Sequence, residues 1–245
     1  MSLLEVCVEA PDGIAAAVAG GANRIELCAA LSLGGLTPSP GLVAFATANV
    51  LPVMAMIRPH GGGFDYDRRM LAVMAGDITR VAALGVAGVV FGATRGRRLN
   101  TAALAMLMAH VRAQQTMDGR PLMTTLHRAI DLCADPVEAA DQACTLGFDH
   151  ILSSGAAVTA IEGASMLAAM QRRVRGRCTL IAAAGVTASN AAALIAATGV
   201  GAVHASCAVA GAVDPATVAL GFGPPPRPTD AELVRALRAA FCTQD

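Results

Sequence analysis

The sequence predicts a single-domain (β/α)8 barrel, and three observations predict it. Short apolar, β-branched runs alternate with helical stretches along the whole chain, and eight runs of the strand kind can be counted. The length, 245 residues, suits a fold that needs about 250. The first strand is followed by Glu9-Ala10-Pro11-Asp12 rather than by a glycine-rich dinucleotide fingerprint, which argues against an open doubly wound sheet.

Strands are expected near 3–8, 24–28, 52–57, 87–91, 121–126, 149–152, 179–183 and 201–205. Helices are expected near 11–19, 41–49, 67–84, 100–114, 135–146, 157–173 and 187–198. Several of these helices end in glycine turns, such as Ala19-Gly20-Gly21-Ala22, Leu84-Gly85, Leu146-Gly147 and Thr198-Gly199. Asp135-Pro136 and Thr187-Ala188-Ser189 read as helix starts. The barrel occupies about 3–206 of a domain running 1–245, and 207–245 forms a C-terminal extension. Within it Gly211–Pro228 reads as irregular, lying over the surface or against a second subunit, before a last helix near 230–241.

Composition excludes whole classes of function. All 18 basic residues are Arg and there is no Lys, which rules out Schiff-base aldolases, pyridoxal cofactors and nucleotide sites built on a P-loop lysine. The formal net charge is zero and no basic patch carries aromatic residues, so nucleic acid is not an expected partner. Cys178–Val213 lacks Asp, Glu and Arg, but Gly185, Thr187, Ser189, Asn190 and Gly199 interrupt it, so no membrane span is expected. Seven Cys without paired spacing, and no signal peptide, suggest a reduced, cytoplasmic protein, and an extension able to lie against a second subunit goes with a homo-oligomer, most simply a dimer.

A phrase that occurs twice marks the site. In Leu4-Glu5-Val6-Cys7 and Ile25-Glu26-Leu27-Cys28, strand alternation puts both carboxylates and both thiols on one face. Barrel chemistry gathers at the carboxyl ends of the strands. There the sequence offers Cys7, Cys28, Arg58, His127, Arg128, Ser154, Gly155, Gly185, His204 and Ser206.

The series Leu3–Cys7, Arg24–Cys28, Gly34-Gly35-Leu36-Thr37-Pro38-Ser39, Ile57-Arg58-Pro59, His127-Arg128-Ala129, Ser154-Gly155, Ala184-Gly185-Val186 and Val203-His204 resembles the CutC family, named for copper homeostasis. The resemblance runs in order from residue 3 to about 206 and implies a cytoplasmic, often oligomeric TIM barrel associated with copper tolerance, with Cys7 and Cys28 at the positions of the family's Cu(I) ligands. Two places depart from the family pattern: Leu33 stands where an acidic residue is usual, and Gly92–Arg98 replaces an acidic loop.

Three readings stay open. In the first, Cys7 and Cys28 hold Cu(I), a soft ion suited to thiolates. In the second, the mouth is an enzyme site for a small anionic, even phosphorylated, metabolite. Glu5 or Glu26 is then the base, His127 the acid, and Arg58 and Arg128 hold the anion. Ser154, Gly155, Gly185, His204 and Ser206 line the substrate site. In the third, an oligomeric scaffold keeps an unused polar mouth. Bland alternatives attach to single residues: the glutamates pair with Arg24, Arg58 and Arg128, His127 is structural, and Met54 and Met56 are core.

Overall fold

The computed structural model describes residues 3–212, 214–221 and 227–242. Eight parallel strands close into a barrel: β1 (Leu3–Val8), β2 (Arg24–Leu27), β3 (Val53–Met56), β4 (Gly88–Phe91), β7 (Met123–Leu126), β8 (His150–Ser153), β9 (Thr179–Ala182) and β10 (Ala202–Ala205). The order around the barrel is β1-β10-β9-β8-β7-β4-β3-β2. Between β4 and β7 the chain adds a small hairpin, β5 (Thr94–Arg95) and β6 (Arg98–Leu99), that the sequence reading did not anticipate.

The outer ring is α1 (Pro11–Gly20), α2 (Pro40–Thr47), α3 (Arg68–Ala83), α4 (Thr101–Arg112), α5 (Pro136–Leu146), α6 (Ala164–Val174) and α7 (Ala191–Thr198). Their starts follow capping chemistry: Ser39, Asp67, Asn100 and Asp135 each accept a backbone N–H from the first turn. Two starts lie later than expected. Residues 154–163 form a hydrogen-bonded loop, so α6 begins at Ala164 and not near 157. Asn190 Oδ1 accepts from Thr187 N, closing a turn that delays α7 to Ala191.

The extension is less irregular than expected. It contains α8 (Pro215–Ala219), capped by Asp214, and α9 (Ala231–Cys242). Of the stretch Gly211–Pro228 expected to be irregular, residues 213 and 222–226 lie outside the described ones. Helix α9 packs on α1 and buries Val234 and Leu237, which seals the barrel where β1 meets β10. Among the described residues no helix is long and apolar enough to cross a membrane.

The space between barrel and helices is filled by branched and aromatic side chains such as Leu4, Ile14, Ile25, Phe91 and Phe148. The barrel interior differs. Two apolar patches line it, Cys28, Met54, Met56 and Val90 on one side and Leu152, Ile181, Ala183 and Ala202 on the other. Between them stand buried ionisable side chains, and a fold does not place charges there for packing.

Candidate functional site

Register fixes which groups meet. Glu5 is level with Arg24 on β2 and with His204 on β10. Arg24 Nε donates to Glu5 Oε2 at 2.6 Å, and His204 Nδ1 lies 2.8 Å from Glu5 Oε1. From Glu5, Arg24 spans the interior to His150 on β8, the diametrically opposite strand, with Nη1 3.1 Å from His150 Nε2. Toward the mouth, His204 Nε2 lies 3.9 Å from Glu26 Oε2. A continuous chain therefore runs His150–Arg24–Glu5–His204–Glu26 from the barrel floor to its mouth.

The environments of the two carboxylates separate them. At Glu5 burial works against ionisation, but Arg24 and His204 outweigh it and hold the carboxyl at about 2. At Glu26 burial, reinforced by the charge of Glu5, outweighs the pull of His204 and raises the carboxyl. Glu26 Oε1 is buried and has no hydrogen-bond partner among the described residues. Burial disfavours a charged His204, yet Cys7, Glu26 and Glu5 raise its pKa well above the usual histidine value. Glu5, Glu26 and His204 each offer an atom within 4.8 Å of the others. The Arg24 guanidinium bound to Glu5 opposes a cation at that point.

The two thiols flank Glu26. Cys7 is level with Glu26, and Cys28 sits two residues on, just past the end of β2, its amide bonded to Val8 O at 2.9 Å. Cys28 Sγ donates to Glu26 Oε2 at 3.5 Å. Burial, then the charges of Glu26 and Cys7, raises the Cys28 thiol well above its ordinary value. Gly35 brings the Leu31–Leu36 loop over this thiol. Its φ is +85°, and a Cβ there would stand 2.9 Å from Cys28 Sγ, so only glycine permits the approach. A third thiol, Cys207, joins Cys7 in the cavity wall, and burial followed by Cys7 pushes it up to about 11.

A cavity of about 490 Å³ opens at the carboxyl ends of the strands, with Cys7, Glu26, Met56, His127 and His204 in its wall. His127 is held neutral, its pKa lowered to about 3 by burial and, less, by Arg58. Its Nδ1 accepts from Ala129 N at 3.2 Å, which leaves Nε2–H as the donor, buried and without a partner among the described residues. Gly92 makes room for the ring, since a Cβ there would lie 2.6 Å from it. Phe64 packs on His127 at 4.8 Å, and the Arg58 guanidinium lies over Phe64 at 4.9 Å. Arg58 is largely taken up by backbone: its Nη atoms donate to the carbonyls of Leu33, Gly35 and Gly62, stapling two mouth loops together.

The serine turn after β8 already holds an anion of its own. Asp131 accepts from Ser153 Oγ at 2.5 Å, Ser154 N at 3.0 Å, Ser154 Oγ at 2.9 Å and Ala156 N at 3.2 Å. Arg128 Nε closes on the same carboxylate at 2.8 Å, and its Nη2 donates to Ser154 Oγ at 2.7 Å. Ser154 and Gly155 accordingly lie behind the cavity wall, while Gly185, His204 and Ser206 line it.

A family model described as the CutC family matches residues 2–209. The chain belongs to the CutC family. A CutC family protein of Sinorhizobium medicae (strain WSM419) is 45% identical over 242 residues, 98% of this chain and 96% of its own. The human copper homeostasis protein cutC homolog is 39% identical over 190 residues, 77% of this chain and 67% of its own. The solved CutC structure from Streptococcus agalactiae superposes with a TM-score of 0.76 at 30% identity, covering 84% of this chain and 99% of that one. A phosphoribosylanthranilate isomerase from Pyrococcus furiosus shares the fold alone, with a TM-score of 0.59 at 13% identity over 98% of both chains.

In this CutC-family chain the structure brings together Glu5, Cys7, Glu26, Cys28 and His204 at the centre of the mouth. Arg58, His127 and Arg128 stand around them, and the glutamates pair with Arg24 and His204, not with Arg58 or Arg128. The two departures lie at the rim. Leu33 is exposed, and Gly92–Arg98 leads through the hairpin that Asp65 anchors through Thr94 Oγ1 and Gly96 N. Sequence reasoning missed His150, Asp131, Phe64 and Cys207. His150 had a signal: strand alternation puts it on the inner face with Leu152. Asp131 had only the i,i+3 spacing from Arg128, because its serine-turn partners lie 22–25 residues away in the next β–α unit.

Proposed function

We propose that this chain takes part in copper homeostasis by binding Cu(I) at the barrel mouth, with Cys7 and Cys28 as ligands. One observation carries the reading: the wall around Glu26 is rich in sulfur. Cys28 packs with Met54 and Met56, Cys7 stands on the neighbouring strand, and Cys207 faces the same cavity. Thiolates and thioethers are the soft donors that favour Cu(I). The raised Cys28 thiol does not oppose this, because a bound cation drives a thiol to give up its proton. Glu26 receives the Cys28 hydrogen bond and is the nearby carboxylate with an unpartnered oxygen, so it suits the role of proton acceptor.

An anaerobic competition titration of Cu(I) against a chromophoric chelator tests this on the wild type and on Cys7→Ala/Cys28→Ala. Tight stoichiometric binding that the double variant loses supports the assignment. Binding that the variant keeps removes these thiols from it.

The cavity volume favours a second reading. About 490 Å³ exceeds what a bare ion needs and falls within the range of small-molecule pockets. Two carboxylates driven apart, one ionised and one raised, make an acid–base pair for a small anionic metabolite, with Arg128 and Arg227 in the wall. Complementation of copper-sensitive growth separates the readings. Cys7→Ser/Cys28→Ser fails and Glu26→Gln retains partial growth under the first, and the pattern reverses under the second.

A further inference from the structure

We propose that Cys144 and Cys178 form a redox-active pair that a hydroperoxide converts to a disulfide. The pair lies at the barrel floor, away from the mouth thiols. Cys144 is in the last turn of α5, and Cys178 immediately precedes β9. Their sulfurs are 3.1 Å apart although the residues are 34 positions apart, and both are half-buried. A disulfide needs about 2.05 Å, so closure asks for a sulfur movement of roughly 1 Å.

The surroundings make the two thiols unequal. Cys144 is lowered by its hydrogen bond with Cys178 and, against burial, by the guanidinium of Arg177. Cys178 is raised by the same hydrogen bond and by burial. Arg177 is fixed over the pair by Asp141 and by Thr145 Oγ1, the latter at 3.2 Å. A second cavity, of about 630 Å³, has Cys178, Arg175 and Arg177 in its wall and brings small solutes to the Cys178 side of the pair. An attacking thiolate beside a cation and a resolving thiol in contact with it are the parts that reversible oxidation requires.

The chemistry balances with peroxide as oxidant. The Cys144 thiolate attacks one peroxide oxygen, the O–O bond breaks, and the leaving hydroxide is protonated to water, which leaves a sulfenic acid on Cys144. Cys178 Sγ then attacks that sulfur, the S–O bond breaks, and the departing hydroxide takes the Cys178 proton as a second water. Two thiols lose two electrons to one peroxide.

The test uses the full chain and hydrogen peroxide, with free thiols alkylated before tryptic digestion. Cleavage after arginine puts Cys144 in Ala129–Arg172 and Cys178 in Cys178–Arg235, the Arg227–Pro228 bond resisting trypsin. The expected result is a cross-link between these peptides, placed by fragmentation on Cys144 and Cys178 and reversed by dithiothreitol. In Cys178→Ser the oxidation stops at Cys144, where dimedone traps the sulfenic acid. Alkylation of both residues at peroxide doses that oxidise other cysteines overturns the proposal. So does dimedone labelling in Cys178→Ser that avoids Cys144.

Discussion

Replacing Arg24 with Met removes one charge from the barrel interior and keeps most of the side-chain length. In the wild type the pair is nearly dry: the Arg24 and Glu5 side chains are 4% and 0% exposed, and Nε stands 2.6 Å from Oε2. Removing one partner of a buried ion pair costs about 3–5 kcal/mol, because the other charge stays behind uncompensated. The Glu5 carboxyl gives a second measure. It titrates at about 2 instead of 4.5, which is roughly 3 kcal/mol at about 1.4 kcal/mol per unit. A depressed carboxyl stabilises the fold fully above its unfolded value, and that contribution is lost as pH falls from 4.5 toward about 2. Without Arg24, burial is opposed by His204 alone and the Glu5 carboxyl rises. Urea unfolding of both proteins across this range reads the effect. Arg24→Met is expected to lose about 3 kcal/mol at neutral pH, and the gap to narrow at about pH 3. Adding Glu5→Gln is expected to restore part of the loss, the coupling a double-mutant cycle measures. A single variant within about 1 kcal/mol of wild type at neutral pH, or a gap that does not narrow in acid, refutes this reasoning.

Three other outcomes are expected. His127 titrates at about 3 in the fold against 6.5 ordinarily, so the unfolded chain binds the extra proton and stability falls as pH drops through that window. His127→Gln flattens this part of the profile in chemical denaturation at several pH values. Ala184 holds a φ of +79° in the mouth turn before Gly185, where a Cβ costs about 1 kcal/mol. Ala184→Gly is expected to recover it as a rise of about 2–4 °C in the thermal midpoint. Cu(I) affinity in the chelator competition is expected to rise about tenfold per pH unit for each proton released, and to become flatter with pH in Cys28→Ala.

The periodicity of strands and helices made the barrel legible, and alternation put Glu5, Cys7, Glu26 and Cys28 on the inner face. Alternation gives the face but not the level. Because β2 joins β1 at Glu5↔Arg24, Cys7 came level with Glu26, and Cys28 ended two positions higher beside Met54 and Met56. Residue types at strand ends also cannot say who has already claimed them. Arg58 looked free to hold an anion until the carbonyls of Leu33, Gly35 and Gly62 occupied it, and Asp131 filled the serine turn that resembled an anion cradle. Local signals served best where the partner is local: Asp135 caps α5 through Val137 N and Glu138 N as its spacing predicts. The Cys144–Cys178 contact depends on how α5 packs against α6, which no local pattern encodes.

The central claim, Cu(I) held by sulfur at the barrel mouth, is tested most directly by X-ray absorption at the copper edge. The sample is the protein loaded anaerobically with one equivalent of Cu(I). The account predicts a scattering shell made of sulfur, at low coordination number, that is lost in Cys7→Ala/Cys28→Ala. A shell of nitrogen and oxygen, or a sulfur shell that the double variant preserves, contradicts it.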